Sequence, residues 1–162
     1  MRKVFYSFHY ALDNERTAAV RDISTVEGSQ AASEGEWEKV AAGGDDAIKA
    51  WIDEQVAGAS CQVVLIGSET AERKWVNYEI GKAWKDGLGV VGVYVHNIPD
   101  EHGMQSVKGY NPFKPFSVKG RLLSEIVKAY DPPSFDGEYV RGYITENLAE
   151  WVEEAMKIRE QR

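Results

Sequence analysis

Trp75 and Glu79 are the two side chains whose types and spacing point most directly to chemistry. They are four residues apart in a segment with helical periodicity, so they lie on one side of the predicted helix, one turn from each other. The apolar stripe of that helix is Val76, Ile80 and Ala83, and Glu79 falls about 60° away from it at roughly 100° per residue. A carboxylate at the edge of a buried face, beside an indole, is typical of a pocket rim. The same spacing also fits a boundary Trp and a solvated Glu.

Alternating strands and helices would position this pair. Apolar or β-rich runs predict strands at residues 3–8, 61–66 and 90–95, and an edge strand at 126–130. Helices are predicted from about residue 12, at 45–58, from the Trp75/Glu79 segment to about 87, and from about 138 onward. Residues 26–44 are rich in Gly, Ser, Ala and Glu and are predicted to form a loop, in which a short second strand cannot be placed.

The first predicted helix has a mixed pattern. Asp13 lies in or near its first turn, where negative charge suits the helix dipole. The residues that recur at helical spacing are Leu12, Arg16, Ala19, Val20 and Ile23.

This alternation predicts a fold class. Strands that alternate with helices form βαβ units, so we expect a single three-layer α/β domain of flavodoxin-like type, with a mostly parallel sheet and helices on both faces. It would span residues 1–162, with a core at 3–98, a long loop at 99–124, and an edge strand and C-terminal helix at 125–162. Open sheets of this kind bind ligands beyond the carboxyl ends of their strands, where the Trp75/Glu79 helix begins.

Composition excludes several function classes. A net charge of −7 argues against a surface that follows nucleic-acid phosphates, although a small nucleotide needs only local donors. No segment approaches the ~18 apolar residues of a membrane span, and the single Cys61 suits a reducing compartment. We therefore expect a soluble, cytoplasmic protein that binds neither nucleic acid nor membrane.

Familiar motifs are missing as well. No Gly-Lys-Ser/Thr follows a strand, and the first strand ends in Ser7-Phe8-His9-Tyr10 rather than in a glycine-rich dinucleotide loop. His9, His96 and His102 lack partners at metal-ligand spacing, so no metal is expected. His102 is expected to be a solvated loop histidine, whereas His9 fits a solvated loop and a ligand site equally well.

In their order, these segments resemble the TIR-like proteins of bacterial antiphage defence, and among them the TIR subunit of Thoeris systems. The resemblance rests on the first strand running into His9-Tyr10, and on the segments DDAIKAWIDEQVAGAS, CQVVLIG, SETAERKWVNYEIGKAW and VVGVYVHNI. It covers residues 3–98 well and the last third more loosely. The polar stretch 26–44 departs from the family, whose second strand and loop would stand there.

The resemblance implies a function. NAD would be the substrate, with no separate cofactor, and Glu79 would be the catalytic residue. Trp75 would support it, and Phe8, His9 and Ser68 would complete the substrate site. The product would be a cyclic ADP-ribose isomer that activates a partner effector, made once a phage-derived trigger acts, and the enzyme could form a homo-oligomer.

Alternatives remain open from the sequence. The residues do not decide between cyclisation of ADP-ribose and plain hydrolysis. A non-catalytic TIR-like module that recruits partners through its helices would not need Glu79. A nucleoside-processing transferase, which also uses a carboxylate on a flavodoxin-like scaffold, would act on nucleosides instead of NAD.

Overall fold

The computed structural model describes residues 1–28 and 34–162, apart from the side chains of residues 34–37. The strands in this part of the chain are β1 (Lys3–Ser7), β2 (Glu27–Gly28), β3 (Cys61–Ile66), β4 (Gly89–Tyr94), β5 (Ser117–Val118), β6 (Arg121–Leu122) and β7 (Ala129–Tyr130). The helices are α1 (Tyr10–Arg21), α2 (Glu34–Ala42), α3 (Gly44–Ala57), α4 (Lys74–Lys85), α5 (Leu123–Ile126) and α6 (Gly137–Glu160).

A parallel sheet in the order β2-β1-β3-β4-β7 forms the middle layer. Its central strands β3 and β4 are buried along their whole length, as continuous apolar runs are in sheets that are covered on both faces. One face carries side chains of α1 and α6, and the other carries those of α3 and α4. The predicted three-layer α/β architecture is confirmed. Because β1 and β3 are parallel, they end at the same edge of the sheet, and α1 and α4, which follow them, begin near that edge.

The buried face of α1 follows the residues at helical spacing only in part. Leu12 is 43% exposed and Ala19 is exposed, whereas Arg16 and Val20 are buried together with Asp13 and Thr17. Arg16 forms an ion pair with Asp13, with 2.6 Å between Nη1 and Oδ1, and donates to the carbonyl oxygens of Ile98 and Met104. A charged residue can be buried when its partner satisfies it, so Asp13 is buried beside Arg16 although it is not one of the residues that recur at helical spacing.

Part of the stretch 26–44 is also structured. β2 pairs in parallel with β1, with Lys3 opposite Glu27 and Val4 opposite Gly28. The loop prediction is wrong for Glu34–Ala42, which forms α2, because the Glu, Lys and Ala residues of EGEWEKVAA favour a helix more than the single Gly35 disfavours it. Residues 29–33 of the predicted loop lie outside the described part.

The C-terminal third contains the predicted last helix as α6 and an edge strand as β7. The edge strand is shorter than the predicted 126–130, because Ile126 is the last residue of α5. Residues 99–124, predicted as a long loop, include an antiparallel hairpin of β5 and β6 and the first two residues of α5. No helix in the described ranges combines the length and the apolar composition that crossing a bilayer requires.

Candidate active site

A cavity of about 1030 Å³ lies where β1 ends and where α1 and α4 begin, with α3 along its side. Sites of this volume accommodate a ligand as large as a dinucleotide. Four of the five residues that the sequence assigned to the site line this cavity, namely Phe8, His9, Trp75 and Glu79. The topology therefore brings together residues that are up to 71 positions apart in the chain.

Glu79 is buried instead of lying at the rim. The residue is only 9% exposed, because α4 packs this side against the end of β1 as well as along its apolar stripe. Burial raises the pKa of the Glu79 carboxyl from 4.5 to about 8, and a hydrogen bond with Ser7 partly opposes that rise. A carboxyl with this pKa is mostly protonated at neutral pH. A buried acid with a pKa near the working pH, inside a large cavity, is typical of a catalytic group.

Two polar residues that the sequence did not single out lie beneath Glu79. Ser7 and Gln62 are 1% and 0% exposed, and Gln62 Nε2 donates to Ser7 Oγ over 2.9 Å. A signal for both was present in the sequence, since Gln62 interrupts the otherwise apolar strand CQVVLI, and Ser7 follows three apolar or aromatic residues at the end of KVFYS. A polar side chain within a buried strand needs a hydrogen-bond partner, and that requirement could have identified Ser7 and Gln62 as candidate site residues.

Trp75 lies half-buried over the cavity. Its ring meets that of Tyr78 edge-on, with 5.9 Å between centroids, and the Lys74 ammonium lies 4.8 Å from its centroid. The Tyr78 hydroxyl donates to Asp53 on α3 over 2.7 Å, which fixes the neighbouring ring. One side of the indole is therefore fixed by Tyr78. Its remaining surface faces the cavity, where it can stack on a ring of the ligand.

His9 is the N-terminal cap of α1. Its Nδ1 accepts the backbone N–H of Leu12 over 3.2 Å, and the residue is buried, so the solvated-loop alternative is wrong for it. With Nδ1 in use as an acceptor, the neutral ring carries its proton on Nε2, which leaves one donor for a ligand. Phe8 is half-buried, packs against the core and lines the same cavity.

Ser68 is placed differently from the other four. It follows β3 directly and is partly exposed, but it is absent from the cavity lining. The preceding Gly67 is packed against α1, where a Cβ atom would lie 2.1 Å from Asp13 Oδ2, so the chain turns close to α1 at this point. A role for Ser68 in ligand binding stays a prediction that the cavity geometry does not support directly.

The two other histidines lie away from the cavity lining. His102 is exposed beside Glu101, as expected of a solvated loop residue. His96 is buried, and this burial lowers the pKa of its imidazole. Among the described residues, no group of three or more His, Cys, Asp and Glu side chains is placed to hold a metal ion.

Comparison with known proteins gives two findings. Residues 5–100 match the family model described as "Thoeris protein ThsB, TIR-like domain". That match runs from β1 through β4 and includes every residue assigned to the site. A curated relative from Bacillus cereus (strain MSX-D12), named "Putative cyclic ADP-D-ribose synthase ThsB1", is 34% identical over 117 residues. The aligned region covers 69% of this chain and 61% of the length of that relative.

Proposed function

Since the chain belongs to the Thoeris ThsB family of TIR-like domains, we propose that it cleaves the nicotinamide–ribose bond of NAD and releases a cyclic ADP-ribose-type signal in antiphage defence. NAD is the substrate, and no separate cofactor takes part. The observation that carries the proposal is the buried Glu79 carboxyl inside a dinucleotide-sized cavity, beneath an aromatic wall. The name of the 34% identical relative supports the same reaction class.

Glu79 would act on the positive charge of the substrate. The nicotinamide ring of NAD is cationic, and a cation next to a carboxyl group favours the carboxylate. Substrate binding would therefore ionise Glu79 inside the cavity, and its proton would pass to solvent. As the glycosidic bond breaks, nicotinamide takes the bonding electrons and leaves as a neutral ring, while positive charge develops on the ribose. The carboxylate stabilises that charge electrostatically or orients the ribose hydroxyls, and neither role needs a metal.

Trp75 would influence the fate of the ribose cation. An indole stacked on the substrate excludes water, so an adenine nitrogen or an internal hydroxyl can bond to the anomeric carbon and lose a proton. That route gives a cyclic product. If water enters, the same cation gives linear ADP-ribose. The fraction of cyclic product therefore reports how well the aromatic wall closes.

The start of α4 suits the diphosphate of NAD. The residue before its first turn, Arg73, makes no side-chain capping hydrogen bond, and both Arg73 and Lys74 line the cavity. Backbone amides at a helix start, with two cationic side chains beside them, favour a bound anion. This supports a pose in which the diphosphate lies at α4 and nicotinamide lies between Trp75 and Glu79.

The proposal extends to partners. A phage-derived trigger would start the reaction, and a separate effector protein would bind the cyclic product. We place the enzyme in the cytoplasm, which suits the buried free thiol of Cys61, and allow for a homo-oligomer. Nucleic acid and membrane have no part in this function.

The decisive experiment compares wild type with Glu79→Gln in lysates of phage-infected and uninfected cells. We expect mass spectrometry to show a fall in NAD and accumulation of a cyclic ADP-ribose isomer in infected cells that express wild type. Neither change is expected with Glu79→Gln or without infection. Protein purified from infected cells is also incubated with NAD and, separately, with nucleosides. Protection from phage without NAD loss would favour the interaction module, and turnover of nucleosides alone would favour the transferase.

Trp75→Ala is expected to lower NAD turnover and to raise the share of linear ADP-ribose, because water reaches the ribose cation. We expect only a small drop in melting temperature, since the indole is half-buried. Trp84→Ala is the matched control. Trp84 is on the same helix, away from the cavity, and its ring lies 4.5 Å from the Arg159 guanidinium carbon. A loss of about 3–5 kcal/mol in Trp75→Ala with normal specific activity would instead make Trp75 a core residue.

His9→Ala is expected to raise the apparent KM for NAD by roughly 5- to 30-fold, the equivalent of one lost polar contact of about 1–2 kcal/mol. It should also cost about 1 kcal/mol of stability, because α1 loses its cap. His9→Asn separates the two effects, since Asn caps helices well but lacks the imidazole. If KM stays normal in both variants while Glu79→Gln is inactive, NAD binds away from β1.

A further inference from the structure

Two buried polar side chains next to Glu79 have no part in the mechanism described so far. Ser7 on β1 and Gln62 on β3 point to the same face of the sheet, the face on which α3 and α4 pack. Gln62 is opposite Phe5, and Ser7 is opposite Val64, so the two polar residues are diagonal neighbours on adjacent strands. Their neighbours on this face, Phe5, Val64 and Ile66, are all apolar core residues.

The hydrogen bonds between them have a defined direction. Gln62 Nε2 donates to Ser7 Oγ, so the Ser7 oxygen is already occupied as an acceptor on that side. The single hydroxyl proton of Ser7 is then free to be donated. We assign it to the buried Glu79 carboxyl, whose pKa Ser7 lowers. The order of donation is therefore from Gln62 to Ser7 to Glu79, and it ends on the carboxyl group. A hydroxyl group that donates a hydrogen bond to a carboxyl oxygen favours the ionised form of that carboxyl group.

Packing alone does not explain these residues. Gln62 Oε1 is buried and accepts no hydrogen bond from the described part of the chain, so the amide is held through Ser7. An apolar residue of the same size would fill this space without leaving a buried acceptor unpaired. Buried polar groups that are only partly satisfied are kept where their hydrogen bonds serve a site.

We propose that Ser7 and Gln62 are positioning residues, which aim the Glu79 carboxylate at the substrate ribose and stabilise its ionised form. The reaction step rests on the function proposed above, whereas the link from Ser7 to Glu79 is a property of the protein alone. Gln62 acts through Ser7 by fixing the rotation of its hydroxyl. Neither residue lines the cavity, so neither is expected to contact NAD.

The test measures Glu79 directly. Side-chain carboxyl carbons are titrated by 13C NMR in wild type, Ser7→Ala, Ser7→Thr and Gln62→Met, with Glu79→Gln to assign the signal. Ser7→Ala should move the Glu79 titration upward by about one pH unit, because the charged form loses its donor. Gln62→Met should move it in the same direction by less, and Ser7→Thr, which keeps the hydroxyl, should restore it.

Thr17→Val is the matched control, since Thr17 is also a fully buried hydroxyl but bonds within α1. It should leave the Glu79 titration unchanged. In the activity assay, Ser7→Ala should lower kcat at pH 7 about 10-fold, shift the acidic limb of the pH profile upward, and leave KM nearly constant.

The possible failures are distinguishable. A folded Ser7→Ala or Gln62→Met protein in which the Glu79 titration stays in place overturns the inference, whether or not NAD is cleaved. Because two variants probe the same link, misfolding of one leaves the other to decide. If the titration moves as expected but wild type never consumes NAD, the link from Ser7 to Glu79 stands and the proposed reaction fails.

Discussion

Glu79→Gln is expected to abolish NAD cleavage and, at the same time, to make the protein more stable at neutral pH. Loss of one charge-stabilising group at the reacting carbon costs about 10²–10³ in rate. The gain in stability has a separate origin, in the burial of a carboxyl group. If Glu79 were an exposed residue at the pocket rim, the substitution would abolish NAD cleavage without raising the stability.

The sign follows from the two protonation states. The pKa of Glu79 is about 8 in the folded protein and about 4.5 in the unfolded chain. Between these values the folded state keeps a proton that the unfolded state has released, so stability falls as pH rises, by about 1.4 kcal/mol per pH unit. At pH 7 the accumulated loss is of the order of 3 kcal/mol, and Gln, which does not titrate, removes it.

Urea unfolding at pH 4, 7 and 8.5 measures this difference. The free energy of unfolding of Glu79→Gln minus that of wild type should be near zero at pH 4 and should grow towards pH 8.5. Glu146→Gln, on the exposed side of α6, provides the same substitution outside the site and should show a small difference at every pH. A Glu79→Gln protein with full activity would refute the catalytic role, and a pH-independent difference would refute the raised pKa.

Arg16→Met is expected to lower the free energy of unfolding by about 3–5 kcal/mol, the largest loss of stability among the variants proposed for this protein. Met fills a similar volume but leaves the buried Asp13 carboxylate without its ion pair and the Ile98 carbonyl without its donor. The Met104 carbonyl loses one of its two donors and keeps the Asp100 N–H. Burial already raises the pKa of Asp13, with Arg16 opposing the rise, so loss of Arg16 should raise that pKa further. The variant should therefore be less destabilised in acid, where Asp13 is protonated.

Chemical unfolding at pH 4 and 7 checks this expectation. Arg21→Met is the control on the same helix, because Arg21 is only partly buried and bonds to Asn14 and Thr17 within α1. The double variant Asp13→Asn/Arg16→Met should recover part of the loss, since it removes the unpaired charge. If Arg16→Met costs no more than Arg21→Met, the buried ion pair does not stabilise the fold as its geometry indicates.

The sequence alone determined the architecture and most members of the site. Continuous apolar runs at 61–66 and 90–95 can be buried only in a sheet covered on both faces, and the helical stripes between them provide the covering layers. Since parallel strands end at one edge, Phe8, His9, Trp75 and Glu79 had to converge there. These inferences depend on periodicity and chain order, which are local properties.

The tertiary structure alone decided how deeply each side chain is buried and what it contacts. Periodicity placed Glu79 at a rim, but β1 covers it. Helical spacing groups Leu12 with Arg16 and Val20, but Leu12 is exposed, and Asp13 is buried with Arg16 instead. The family resemblance assigned Ser68 to the ligand site, but Ser68 is absent from the cavity lining. The burial and pKa of a side chain depend on segments far away in sequence that pack against it, and the period of its own helix or strand carries no information about them.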